Sequence, residues 1–140
     1  MAKRDQTEIA ARIVIENPVP GVLHSLQGKD GHPLDPRQSA NGETLAFDFP
    51  LRVSDGPKFF GDQVRREGSE RRFVYIRIGT AAGQLGSPWS RRMKIDIHDT
   101  EPRLIERAMA GETLELVVNG MAKDGSPACA TVRPVIRRTV

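Results

Sequence analysis

The sequence predicts an all-β or β-rich α+β fold: an antiparallel sandwich or barrel of about six strands with one short helix. Three observations predict it. Apolar and polar residues alternate with period 2 in several separate segments, as half-buried strands require. Thirteen glycines and ten prolines punctuate the 140 residues at short intervals, which suits tight turns better than long helices. Only one segment carries the start and stop chemistry of a helix.

The first strand runs from Ile9 to Ile15, where Ile9, Ala11, Ile13 and Ile15 alternate with Arg12 and Glu16. Asn17-Pro18-Val19-Pro20-Gly21 ends it, and a short second strand is expected over Val22 to Leu26. Gly28 to Gly42 is rich in Gly, Pro, Asp and Asn and reads as a long surface loop. Leu45, Phe47, Phe49, Leu51 and Val53 form the cleanest amphipathic strand. Pro50 within it has no N–H for a ladder and points to an edge or a bulge. Ser54 to Glu70 reads as irregular.

Two central strands follow. Val74, Ile76 and Ile78 make one face of the first, and Met93, Ile95 and Ile97 one face of the second. Paired as a hairpin, they place Phe73, Tyr75, Arg77, Arg92, Lys94, Asp96 and His98 together on the other side. Thr100 as N-cap, Glu101-Pro102 in the first turn and Gly111 at the end frame a helix near 101–110. Its apolar stripe is Leu104, Ile105, Ala108 and Met109, and this helix is expected to cover one open end or face. Leu114, Leu116 and Val118 give another strand. A turn at Asn119-Gly120 or Asp124-Gly125 then leads to a final strand from Ala128 to Val135.

The length fits a single domain over 1–140. The net charge of +3 comes from 21 basic against 18 acidic residues. These charges are interleaved along the chain, so a mixed, solvated surface accounts for them before any extended anionic partner does. The lone Cys129 excludes an intrachain disulfide. The N-terminal residues are polar, and no run approaches the roughly 20 apolar residues of a membrane span. A cytoplasmic protein with no membrane partner is expected.

Several motifs carry a family resemblance. They are Arg72-Phe73-Val74-Tyr75-Ile76, Gly79-Thr80-Ala81-Ala82-Gly83-Gln84 and Trp89-Ser90-Arg91-Arg92-Met93-Lys94, together with Pro18-Val19-Pro20-Gly21 and the segment from Lys123 to Val132. Through them the chain resembles a bacterial domain family of unknown function. The resemblance implies one small bacterial domain without an assigned activity, and it supplies no catalytic residues. Members tend to have a glycine-proline turn before the Arg-Phe pair, where this chain has Asp62 to Gly68.

The best functional signal is the aromatic-cationic cluster of Tyr75, Arg77, Gln84, Trp89, Arg91 and Arg92. Rings supply contact area, guanidinium groups recognise an anion, and Gln84 can hydrogen-bond it. Against this stands a plain packing role, with Phe73 and Tyr75 in core against the helix and Trp89 pinning the hairpin loop. The loop from Gly79 to Gly86 lacks the Gly-Lys-Ser/Thr ending of a phosphate loop. Asp96 beside His98 has no nucleophile next to it, and Cys129 between alanines reads as a small buried hydrophobe. His24, His32, His98 and Cys129 come from separate segments without metal-ligand spacing.

The expected function is therefore a non-catalytic binding or interaction module for an anionic small molecule or a protein partner, with no cofactor and no metal. Two alternatives stay open. One is single-stranded nucleic-acid binding through the aromatic-basic face. The other is a small hydrolase-like enzyme using His98. The oligomeric state is not readable from the sequence.

Overall fold

The structure is a computed structural model that describes residues 7–29, 32–39, 43–54, 58–67, 71–80, 89–97, 100–121, 123 and 132–137. Among them the chain forms ten strands and one helix, in the order β1 (Thr7–Glu16), β2 (Val22–Gln27), β3 (Pro33–Gln38), β4 (Leu45–Ser54), β5 (Lys58–Phe60), β6 (Val64–Glu67), β7 (Arg71–Thr80), β8 (Trp89–Asp96), α1 (Pro102–Met109), β9 (Thr113–Asn119) and β10 (Val132–Arg137).

The first sheet has the order β10-β9-β1-β4-β5. Period-2 alternation sets its register: Ile9, Ala11, Ile13 and Ile15 of β1 stand opposite Leu51, Phe49, Phe47 and Leu45 of β4. A one-residue slip would turn that whole apolar set to the other face. One pairing departs from the antiparallel expectation, because β9 lies parallel to β1, with Ile13 beside Leu116. Pro50 does occupy an edge position locally. β5 pairs with β4 only over Arg52–Ser54, so among the described residues no ladder runs along the outer side of Pro50.

In the second sheet β7 is the central strand. β8 runs along one edge of it, over Phe73–Gly79. The other edge is shared, with β6 pairing Arg71–Val74 and β2 pairing Ile76–Thr80. Arg65 bridges the join, donating from a guanidinium nitrogen to the Gly28 carbonyl at 2.7 Å. β3 completes the sheet beyond β2.

Buried side chains of both sheets meet in one apolar cluster. Phe47, Ile13, Leu51, Ile76, Met93, Ile95 and Leu116 are each no more than 2% exposed. Burying a side chain of this size stabilises the fold by roughly 1.5–3 kcal/mol. Arg37 of β3 ties the two sheets at their margin: it lies 4.7 Å over the Phe47 ring and donates to the Ala46 carbonyl.

The count of about six strands is corrected to ten, and two segments read as loops contain strands. Pro33–Gln38 forms β3, with Asp35 (φ 50°) and Pro36 falling in the register irregularity between His24 and Leu26. An edge strand needs one partner only, so turn-forming residues are tolerated where the ladder breaks. β5 and β6 likewise lie inside the segment expected to be irregular, each short and held by one neighbour.

The helix matches its expected position, but its start is different. Glu101 is the N-cap residue and Pro102 takes the first turn, while Thr100 donates its hydroxyl to the Ile97 carbonyl at 2.9 Å. Gly111 (φ 111°) follows the C-cap residue Ala110, a conformation favouring glycine. Ile105 and Ala108 face the core, and α1 packs against β1, β9 and β10. It therefore does not cover Phe73 and Tyr75 on β7. No described helix is long and apolar enough to cross a membrane.

Candidate functional site

Strand pairing decides what the far face of the second sheet presents. Val74, Ile76, Ile78, Met93 and Ile95 point into the shared core. The alternate residues Phe73, Tyr75 and Arg77 therefore point outward, with Arg92, Lys94 and Asp96 of β8 beside them. Phe73 and Tyr75 are nonetheless only 7% and 3% exposed. Part of their cover is cationic: Lys94 Nζ sits 4.1 Å from the Phe73 ring centre, and the Arg92 guanidinium 4.3 Å from that of Tyr75. Each cation leans diagonally, away from its direct partner, onto a ring whose quadrupole attracts it. These aromatics thus belong to neither of the two expected places, the apolar core or open solvent.

Arg77 stands directly opposite Arg92 in the β7–β8 register. Like charges in that position repel, by about 0.2–1 kcal/mol relative to a neutral pair. Neither guanidinium reaches a carboxylate among the described residues, and the buried Arg77 Nε has no acceptor there. Most arginines outside this face behave otherwise. Arg12 meets Asp48 and Glu115, Arg107 meets Glu112, and Arg137 meets Glu115. On the face itself Arg71 is paired with Asp96. Positive charge is left concentrated at Arg77 and Arg92.

β2 supplies the remaining wall. Ser25 lies opposite Arg77, and Gln27, one step past the Leu26–Ile76 pair, lies alongside Tyr75. The Ser25 hydroxyl donates to the Leu34 carbonyl at 2.5 Å. Gln27 is 4% exposed, and its Oε1 has no hydrogen-bond partner among the described residues. A buried amide oxygen without a donor costs about 1–3 kcal/mol, so this corner of the face holds unspent polar capacity beside unspent charge.

Of the six residues that sequence reasoning singled out, Tyr75, Arg77 and Arg92 come together here. Trp89 pairs in register with Gly79 and Arg91 with Ile78, across an irregularity between the two pairs. Gln84 lies outside the described residues, as do His98 and Cys129. Asp96, expected beside His98, is engaged by Arg71. Gln27 was missed, because its place depends on β2 pairing with β7, a contact between segments far apart in the chain.

His24 is fully buried on the core side of β2, opposite Ile78. Its Nδ1 lies 3.2 Å from the Val22 carbonyl, which only accepts, so Nδ1 carries the proton and Nε2 is bare. Burial pushes its pKa below the ordinary imidazole value. A neutral, enclosed imidazole is a structural element here. No group of three or more His, Cys, Asp or Glu among the described residues is placed to hold a metal ion.

No curated protein and no solved structure matches the chain. A family model does match, over residues 9–140, and by it the chain belongs to a family of unknown function, DUF5990.

Proposed function

We propose that this chain is a non-catalytic binding module whose β2–β7–β8 face receives an anionic small molecule between Arg77 and Arg92. The observation that carries the reading is the opposed arginine pair, which meets no carboxylate among the described residues. An oxyanion placed between two guanidinium groups turns a repulsive contact into two charge-assisted ones. Arg92 is held over Tyr75 and Arg77 is half-buried, so part of the ordering cost is met before binding.

The same features weigh against single-stranded nucleic acid. Bases need open ring faces to stack on, whereas Phe73 and Tyr75 are already covered. An acidic side chain of a protein partner would satisfy the pair by the same chemistry as a small carboxylate.

The test is calorimetric titration with citrate and with inorganic phosphate at low salt. Saturable binding by the wild type, weakened about tenfold or more by Arg92→Ala and by Arg77→Gln, is expected. Equal affinity in all three proteins would remove the site.

A further inference from the structure

Two buried polar atoms on the β2–β7 side of the Arg77–Arg92 face have no hydrogen-bond partner among the described residues, and their characters are opposite. Gln27 Oε1 accepts, whereas Arg77 Nε–H donates. Gln27 is 4% exposed. It points away from the core, because its chain neighbour Leu26 belongs to the core cluster. Its register partner on β3 is Pro33, which has no N–H to offer. Toward β7 it stands diagonal to Arg77, since Ser25 pairs with Arg77 and Gln27 lies two residues on. Diagonal neighbours are about 7–8 Å apart at the backbone, within reach of long side chains. A plain carboxylate leaves half of this corner unmet: it accepts from Arg77 but has no proton for Gln27.

We propose that the anion received at this face is a hydroxycarboxylate, with its hydroxyl placed between Gln27 and Arg77. The proposal rests on the Arg77–Arg92 face being an anion site and names the class of molecule it takes. A hydroxyl carries donor and acceptor on one atom, so its O–H meets Gln27 Oε1 while its lone pair meets the Arg77 Nε–H. The carboxylate of the same molecule lies between the terminal guanidinium nitrogens of Arg77 and Arg92. A protonated amine would also give Gln27 a proton. It has no lone pair for Arg77, however, and would sit among the charges of Arg77, Arg92 and Lys94. Both atoms are enclosed in the free chain, so the corner opens as the ligand enters. The terminal torsion of Gln27 is soft and Arg77 is only half-buried, which lets both turn toward the face while the strand ladder stays intact. A site that bonds a hydroxyl in this way discriminates against the same skeleton lacking it, because Gln27 Oε1 then stays unmatched.

The experiment is calorimetric titration of the full chain with citrate and with tricarballylate, the same tricarboxylate skeleton without the hydroxyl. Both are used at low salt and at a pH where they are fully ionised. The wild type is expected to bind citrate about tenfold or more tighter than tricarballylate. In Gln27→Met, which keeps the length of the side chain and removes the acceptor, the two are expected to bind alike. A urea midpoint establishes that this variant is folded, and if it is not, the wild-type ratio alone decides. Equal affinities in the wild type would overturn the hydroxyl assignment and leave the anion site standing. A citrate preference undiminished in folded Gln27→Met would also overturn it. No saturable binding of either compound would remove the anion site and its hydroxyl specificity together.

Discussion

Arg77 and Arg92 stand directly opposite each other on β7 and β8, and neither meets a carboxylate among the described residues. A cross-strand pair of like charge is a cost that the isolated chain carries with no compensating contact on view. Its removal makes a prediction in which stability and binding part company. Arg77→Glu sets a carboxylate opposite Arg92 and is expected to keep or raise stability, by up to about 1 kcal/mol. The same change abolishes citrate binding. Urea unfolding alongside calorimetry checks both halves, and a protein destabilised by more than that gain would mean Arg77 has a structural role instead.

His24 makes stability depend on pH in a defined direction. Burial lowers its folded-state pKa beneath the unfolded value of about 6.5. The unfolded chain therefore binds the proton more readily, and the His24 contribution is complete above that value and shrinks as pH falls below it. Urea midpoints at pH 7.5 and 5.5 are expected to drop in the wild type. The drop should be clearly smaller in His24→Leu, which fills the space without titrating.

Gly120 is required by close packing. A Cβ there would lie 2.7 Å from Ile15 Cγ2 and 2.8 Å from Pro18 Cα, and its N–H donates to the Glu16 carbonyl at 2.6 Å. One of those contacts is backbone, so relief needs the β1 end to move. Gly120→Ala is expected to cost about 1–3 kcal/mol, an overpacking penalty read from chemical unfolding.

Arg37 and Arg103 separate an arginine that ties sheets from one that decorates a surface. Arg37 bonds the Ala46 carbonyl and covers Phe47, whereas among the described residues Arg103 meets only Glu101, in an exposed pair. Arg37→Ala is expected to cost about 1–2 kcal/mol, through a lost hydrogen bond and a lost ring contact. Arg103→Ala should change stability by less than about 0.5 kcal/mol.

The strand faces were legible because burial on one side leaves a period-2 trace. Val74, Ile76, Ile78, Met93, Ile95 and Ile97 all end at 2% exposure or less. The short strands β3, β5 and β6 left no such trace, since each is held by a single neighbour and tolerates turn residues. Clustering in sequence was enough to bring Tyr75, Arg77 and Arg92 together, because a hairpin converts nearness along the chain into nearness in space. It was silent about Gln27, Arg65 and the Arg66–Arg72 register pair. Those depend on β2 and β6 sharing one edge of β7, which no local pattern encodes. The covering of Phe73 and Tyr75 by Lys94 and Arg92 was also hidden, since alternation places residues on a face without saying what lies over them.

The most direct test of the anion site is an NMR titration with citrate that follows the Nε–H resonance of each arginine. Arg77 and Arg92 are expected to shift together with one saturation constant, while Arg103 and Arg133, each in an exposed ion pair, stay nearly still. A uniform, unsaturating drift of all four would show only bulk ionic screening and would contradict the assignment of this face as a binding site.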